Sequence, residues 1–592
     1  MPSISFIDRD KVVMKLIKYR CKLADKQAVK DQKDEFISRD FLKKTGNRVK
    51  DKDYLYELFP PRKHWCRLGK VRVNLDTAAR NERSLKYTYL KAKRRACKES
   101  WYLNLCAKAD KIVRYAYKNR KGIAPPKVTV IEKKRNEDKH IIECRPVCLF
   151  TNLDTKVTLS LLNKYLTNLF DPYFHKCSYA FRKPKQDMHI LQHLNAVEVI
   201  KKYREVHSDI ALYVAECDMQ KFYDTISHKV IKDRFLNLLH QAKKDKRISN
   251  YDAMMVKRWF FYYVDCFDFV TNVWVNNQKQ ANHPFWKNIK NKDGYRCRIE
   301  WVDKHLLNRK LTRKIKGRVG VPQGGALSGL IANIVMHFVD TEVLKAIGNK
   351  DMLYCRFCDD MILIGVNQEE VSSTFQVYNE VIKKSQLVAH PNKGIELIHM
   401  KDFWKGKTRG PYKWMKGEFD SYPWITFVGF DINWCGNLRI RKSSFIRQMN
   451  KQTKVANELL LPYKNGKSAR YCARTIFASL KSRLIATSVG RVNLWNYAEN
   501  ENLHSWMSAF SILDKNPWSM KQMRELDRHR QQVLARAQRA LSEVSCTKRK
   551  KEMNVRENQR ELFSYTGCPF SYYGQCFDYK KRKICDIVGL LL

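Results

Sequence analysis

Two aspartates stand side by side in Tyr354–Gly365, YCRFCDDMILIG, with apolar residues pressing on both sides. Aspartates in turns normally sit among polar neighbours. Carboxylates crowded against apolar side chains repel each other and lose hydration unless a cation compensates them. A hard divalent ion does this, and Mg²⁺ takes one or two carboxylates together with phosphate oxygens. A further ligand has to come from elsewhere in the chain. AECDMQKFYDTISH offers Asp218 at the end of an apolar run, followed by Phe222, Tyr223 and Asp224. An aspartate leaving one strand beside an Asp-Asp hairpin can hold two cations about 3.5–4 Å apart, a geometry that supports in-line displacement at phosphorus. One ion would activate an attacking hydroxyl and the other would bind a leaving pyrophosphate. The protein's share is positioning and charge neutralisation.

The elements that must bring these groups together are legible in outline. DIALYVAECD is a strand candidate ending at Asp218, and YCRFCDDMILIG reads as strand–turn–strand with the two aspartates at its tip. VPQGGALSGLIANIVMHFVDTEVL is a Gly-rich turn leading into a helix, a second helix is predicted from Val371 to Ser385, and YPWITFVGFDIN returns to strand character. Upstream, GIAPPK (Gly122 to Lys127) marks a boundary, and VTVIEKKRNEDKHIIECRPVCLF reads as a hairpin around a charged turn. Residues 153–206 look mainly helical, and residues 229–310 are mixed and basic with a Trp/Phe/Tyr-rich segment. From Ser443 onward the chain reads as helices, with basic runs at Lys548–Lys551 and Lys580–Lys583. Strands interleaved with helices, then a helical tail, predict an α+β centre with helical additions.

The charge balance restricts the partners. The 592 residues hold 114 Lys+Arg against 60 Asp+Glu, a net +54 with pI near 9.8. Such an excess repels itself unless a polyanion neutralises it, and nucleic acid is the obvious one, with an anionic membrane surface as the alternative. No apolar run reaches the ~18–20 residues of a spanning helix, and MPSISFIDRDKVVMK is too charged for a signal peptide. The expectation is a cytoplasmic protein without a membrane partner, its 18 cysteines reduced. Cys355 and Cys358 form a Cys-x-x-Cys with no second Cys or His pair at zinc spacing. RSLKYTYLKAKRRACKESWYLNLCAKADKIVRYAYKNRK, around Lys91, Lys93, Arg94 and Arg95, mixes cations with aromatics. It reads either as a solvated basic face or as a phosphate-tracking surface with stacking platforms for bases.

DMQKFYDTISH, VPQGGALSGLIANI, YCRFCDDMILIG, LVAHPNKGIEL and FVGFDI stand in the order of palm motifs A to E. ECRPVCLFTNLDTKV and DPYFHKCSYAFRKPK resemble two finger blocks of group II intron and bacterial enzymes. Over about residues 125–445 the chain resembles reverse transcriptases. The resemblance implies a right-hand polymerase core with an antiparallel palm sheet, a basic helical N-terminal extension (1–121), fingers (122–217), a palm (218–442, with an insertion about 229–310) and a helical thumb and C-terminal extension (443–592). It makes Asp218 and Asp359 the principal metal ligands for two Mg²⁺ ions, with Mn²⁺ as a substitute, Asp360 the supporting carboxylate, and the Met219 carbonyl a further ligand. Tyr223 matches the aromatic gate that favours deoxynucleotides. Gln323 and Gly324 match the turn beneath the templating base. Arg145 matches the triphosphate clamp, and Lys393 the lysine that protonates pyrophosphate. Arg182 closes a finger block and is placed with the nucleic-acid contacts, although a structural role suits it better.

Cys358 stands where Ala is common, Phe357 replaces Tyr, Ala180 replaces Gly, and Gly329 replaces a Pro, which is expected to loosen the following helix start. None removes a carboxylate. The absence of a His-Asn-His nuclease module, a retron Val-Thr-Gly signature and a motif B Ser-Gln leaves the bacterial "unknown group" and abortive-infection enzymes as the subfamily most resembled. That implies an RNA template, deoxynucleotide substrates, a DNA product, a dedicated noncoding RNA and a role in antiphage defence, and leaves a partner protein or homo-oligomer open. MKQMRELDRHRQQVLARAQRAL resembles a basic thumb or maturase-type helix. Template-independent or protein-primed synthesis, RNA-templated RNA synthesis, and an RNA-binding scaffold with vestigial carboxylates are the other readings.

Overall fold

The computed structural model describes residues 5–34, 54–68, 77–136, 138, 140–183, 192–274, 296–299, 317–393, 401–416, 421–464, 473–488, 506–542 and 568–571. These form two compact units. One gathers the described parts of Met1–Lys15, Cys106–Met188 and Val206–Pro423, the other those of Leu16–Leu105, His189–Glu205 and Trp424–Leu592. The described strands are β1 (Lys127–Asn136), β2 (Ile141–Leu149), β3 (Leu212–Cys217), β4 (Arg296–Arg298), β5 (Met352–Phe357), β6 (Asp360–Gly365), β7 (Asn392–Lys393), β8 (Thr408–Trp414), β9 (Ser421–Tyr422), β10 (Trp424–Phe427), β11 (Phe430–Asn433) and β12 (Leu438–Ile440).

In the first unit the main sheet has the order β5-β6-β3-β8-β7, with β9 also paired to β8. Along β5, β6, β3 and β8 each strand is antiparallel to its neighbour, and β7 and β9 join β8 in parallel. Met361 to Gly365 are all buried, which a strand achieves only when both faces are covered, and this explains the unbroken apolar run after the aspartates. Helix Gln368–Lys384 packs against β3, β6 and β8. Asn367 caps it, accepting from the N–H groups of Glu369 (2.8 Å) and Glu370 (3.2 Å). Acids in its first turn and Lys383 and Lys384 in its last suit the helix dipole. Helix Ser328–Ile347 packs on that helix and on helix His228–Lys244, and it is buried nearly all round, as its apolar composition requires. β1 and β2 form an antiparallel hairpin whose register breaks between Glu132 and Lys134, and β4 runs parallel to the start of β2.

The second unit includes the small sheet β10-β11-β12 and, packed together, the helices Lys442–Lys464, Ala473–Ser488 and Pro517–Ser542. The helices share a core of Leu459, Leu460, Ile476, Leu480, Leu484, Val533, Leu534 and Leu541. Gln522 joins the last of them to the sheet: its carboxamide accepts from the N–H of Ile440 and donates to its carbonyl, both at 2.8 Å. This is the predicted α+β architecture with an antiparallel sheet and helical additions. The basic runs Lys548–Lys551 and Lys580–Lys583 lie outside the described residues. No helix among the described residues is long and apolar enough to cross a membrane.

Two expectations change. Helix Ser328–Ile347 begins at Ser328 and runs unbroken through Gly329, so the missing proline does not loosen it. A Cβ at Gly329 would lie 2.7 Å from the Phe181 ring, so glycine makes room for that ring. Arg182 is not available as a nucleic-acid contact. Its guanidinium binds the Asp171 carboxylate at 2.7 Å and donates to the carbonyls of Asp171, Phe174, His175 and Ser178, tying up its own finger block.

Candidate active site

Strand register brings the aspartates together. β3 pairs with β6 so that Cys217 faces Met361, which sets Asp218 beside Asp360 just beyond the last pair. Phe357 pairs with Asp360 across the β5–β6 hairpin, leaving Cys358 and Asp359 as its two-residue turn. Cys358 has φ +63°, the left-handed conformation such a tight turn asks of its first residue and normally takes from glycine. Lys221 (φ +51°) and Phe181 (φ +55°) are in the same region, and both line the adjoining cleft. Strained backbone of this kind persists where surrounding structure over-determines it, commonly at functional sites.

The cleft has a volume of about 770 Å³. Of the residues singled out from the sequence, Arg145, Asp218, Met219, Tyr223, Gln323, Gly324 and Asp359 line it. Asp360 lies at its edge, solvent-exposed and against Asp218. β7 carries Lys393, but its side chain lies outside the described residues. Lys91, Lys93, Arg94 and Arg95 are exposed at the end of helix Thr77–Arg94 in the other unit, the helix burying Leu85, Tyr89 and Ala92 on its opposite face.

The carboxylates repel one another. Partial burial and then the charge of Asp218 push Asp359 above the usual carboxylate range. Asp360 is pushed up to about 7 by withdrawal from water and by the charges of Asp359 and Asp218. Asp360 keeps contact with solvent, so repulsion from its two neighbours is the stronger cause. One cation already answers this charge: the Lys407 ammonium forms an ion pair with Asp218, and the His390 ring nitrogen lies 3.8 Å from the same oxygen. Hard oxygen donors crowded enough to hold protons near neutral pH suit a divalent ion. Among the described residues no group of three or more His, Cys, Asp or Glu forms a ready-made metal cage, so such an ion would need phosphate or water oxygens as well. Cys355 and Cys358 are buried free thiols, and burial pushes the first up to about 12.

Around the carboxylates the loops are tied to one another. The Gln323 carboxamide donates to the Asp224 carboxylate at 2.5 Å, and the Gln323 backbone carbonyl accepts from the Cys148 N–H at 2.8 Å. Gly324 follows with φ +85°, a conformation that requires glycine there. Burial pushes the Asp224 carboxyl up to about 6 against the pull of Gln323 and nearby cations. The Tyr223 hydroxyl lies 3.1 Å from the Cys358 sulfur, fixing the ring beside the aspartate turn. Beneath that turn, Arg356 donates to the Cys358 carbonyl (2.8 Å) and to both oxygens of Asp340 (2.7 Å each).

Sequence reasoning did not single out Lys407, His390, Lys133, Glu143, Lys221 or Arg356. The lysines carry no distinguishing pattern in so basic a chain. Arg356 does, as a charge inside an apolar strand.

Comparison with known proteins agrees with the site. The family model described as "Reverse transcriptase (RNA-dependent DNA polymerase)" matches residues 236–403, which include Gln323, Asp359 and Asp360 and begin after Asp218. No curated protein matches the chain. Among solved structures, telomerase from Candida albicans in complex with a TWJ fragment of telomeric RNA is 12% identical. The alignment covers 79% of this chain and 72% of that one at a TM-score of 0.30. Apo telomerase from Candida tropicalis is 15% identical, with 73% and 67% covered and a TM-score of 0.33. At these identities and TM-scores the likeness says nothing of activity or partners. Residues 236–403 thus match a reverse transcriptase domain, the family of RNA-dependent DNA polymerases, and the carboxylate turn lies inside that match.

Proposed function

We propose that the chain adds deoxynucleotides to a 3′-hydroxyl on an RNA template, with Asp218 and Asp359 holding two Mg²⁺ ions, Asp360 supporting them and Mn²⁺ able to substitute. The observation that carries this is the β3–β6 register, which delivers Asp218 to the Asp359–Asp360 turn in a cleft lined by Tyr223, Gln323 and Arg145. When bound, the ions supply activation of the attacking hydroxyl and neutralisation of the leaving pyrophosphate. The protein's own groups orient the nucleotide. Tyr223, its hydroxyl anchored at Cys358, would set its ring against the sugar and exclude a ribose 2′-hydroxyl. Arg145 offers a planar, permanently charged fork to the triphosphate. Gln323 and Gly324, fixed between Asp224 and β2, form the platform for the base pair.

The net +54 and the exposed cations of helix Thr77–Arg94 support an extended RNA partner. The finer reading, a dedicated noncoding RNA and a role in antiphage defence, follows from the resemblance of the sequence motifs to the bacterial "unknown group" and abortive-infection enzymes. The test is divalent-dependent dNTP incorporation on copurifying RNA by wild type and by Asp359→Ala/Asp360→Ala, with the product sequenced. Incorporation by wild type alone, complementary to that RNA, supports the assignment, and a product unrelated to the RNA would reassign it to untemplated synthesis. Equal incorporation by both proteins would remove the proposed chemistry.

A further inference from the structure

The cleft contains one acidic side chain for which polymerisation supplies no task. Of its acidic lining residues, Asp218 and Asp359 are the cation-holding pair, and Asp224 is buried beneath Gln323. The fourth is Glu143, on finger strand β2. Along β2 the even-numbered residues from Ile142 to Cys148 are buried, so Glu143 and Arg145 share the opposite face, two residues apart.

Two ammonium groups converge on one oxygen of Glu143. Lys133 donates to Oε1 at 3.0 Å, and the Lys221 Nζ lies 3.7 Å from the same atom. They come from different directions. Lys133 sits at the register break in β1, and Lys221 follows Asp218 by three residues in a left-handed backbone conformation. Both line the cleft with Arg145. Partial burial pushes Glu143 up, but the two ammonium groups outweigh it, so its carboxyl lies below the usual range. Burial and the neighbouring Lys133 push Lys221 down. An anion is thus needed where these cations meet, and Glu143 supplies it from the protein.

We propose that Glu143 is a resident competitor for the triphosphate of the incoming nucleotide, holding Lys133 and Lys221 and yielding them when phosphate oxygens arrive. This rests on reading the cleft as the nucleotide site. A triphosphate brings several negative charges and can take both ammonium groups at once, whereas a nucleoside without phosphates has nothing to offer them. Glu143 therefore weakens nucleotide binding in general and makes it depend steeply on phosphate number.

The test is steady-state incorporation by the full chain, comparing wild type, Glu143→Gln and, as a control outside the cleft, Glu132→Gln, whose carboxylate pairs with exposed Arg135. Binding of inorganic tripolyphosphate is measured in parallel by calorimetry. Glu143→Gln is expected to lower KM for dNTP and tighten tripolyphosphate binding by about threefold to tenfold, the scale of one or two partly exposed ion pairs. Its kcat should stay within about twofold, because both proteins present the same groups once nucleotide is bound. Lys133→Gln should raise KM, and Glu132→Gln should change nothing. Unchanged or weaker binding in Glu143→Gln, beside a wild type that polymerises, would overturn the competitor role and leave the polymerase reading intact. A wild type that binds tripolyphosphate but incorporates no nucleotide would instead remove the reading on which the role rests.

Discussion

Two sets of charges lie a few residues apart around one hairpin, and they are treated in opposite ways. Beneath the turn, Arg356 and Asp340 are fully buried, 0% and 1% exposed as side chains. The five N–H groups of the guanidinium meet Asp340 twice, the Ser178 hydroxyl, the Cys358 carbonyl and, at 3.4 Å, Asn333. Tyr354 adds a bond to Asp340 at 2.9 Å. Above the turn, Asp218, Asp359 and Asp360 face one another with Lys407 as their close cation, and Asp359 and Asp360 are pushed toward holding protons. The lower set is complete within the protein, whereas the upper set is short of positive charge. A buried pair with every donor satisfied fixes geometry. A cluster of under-compensated carboxylates at a cleft does not stabilise the fold, and its worth is in what it can bind.

The first way to break this comparison is to remove one partner of the complete set. Arg356→Met leaves Asp340 buried and unpaired, and should cost about 3–5 kcal/mol in chemical denaturation. Adding Asp340→Asn should recover part of that loss. If Arg356→Met proved no worse than a surface substitution, the lower set would not be holding the hairpin. The second concerns the ring above it. Tyr223→Ala should reduce discrimination against ribonucleotides by an order of magnitude or more, read as the ratio of kcat/KM for dNTP and NTP. Cys358→Ala, which removes the anchor of the Tyr223 hydroxyl together with the thiol's hydrogen bond to Asp359, should change the ratio by a smaller factor, about threefold.

The third prediction is the smallest in effect. The folded-state carboxyl of Asp360 lies near 7, above its ordinary value near 4, so the folded protein holds the extra proton between those limits. Its contribution to stability is therefore favourable at low pH and is lost as pH rises through about 4 to 7. Cation binding runs the other way, because the ion must displace that proton. The Mg²⁺ concentration for half-maximal incorporation should rise as pH falls from 8 to 6, by about tenfold at most for one competing proton. Asp360→Asn should flatten the dependence, and an unaltered pH response in that variant would move the titrating group elsewhere.

How much of this was readable from residues alone follows from the kind of signal each group carries. Asp218, Asp359 and Asp360 end or interrupt apolar strands, where packing offers no reason for a carboxylate, so their chemistry was visible before any fold. Tyr223, Gln323, Gly324 and Arg145 were visible only through the order of blocks around them, and the structure brings all four to the cleft. Lys407 and Glu143 were not visible. Their partners, Asp218 and the pair Lys133 and Lys221, are set by sheet pairing and by a β-bulge, and nothing in local spacing marks one lysine among 114 basic residues. Arg356 lay between. A charged side chain in the alternation of a buried strand demands a partner, but Asp340 sits sixteen residues upstream on an apolar helix, and only packing identifies it. Gly329 shows the opposite error: a local rule predicted a loosened helix, and tertiary contact with Phe181 explained the residue.

The claim on which the rest depends is that the carboxylates above the turn are an unfinished site which a divalent cation completes. Thermal melting of the full chain and of Asp359→Asn/Asp360→Asn, each in chelator and then in Mg²⁺ or Mn²⁺, tests it most directly. The account predicts that in chelator the variant melts at or above wild type, because repulsion is relieved, and that the metals raise the melting temperature of wild type alone. A variant that melts below wild type in chelator, with the same metal response in both proteins, would contradict it.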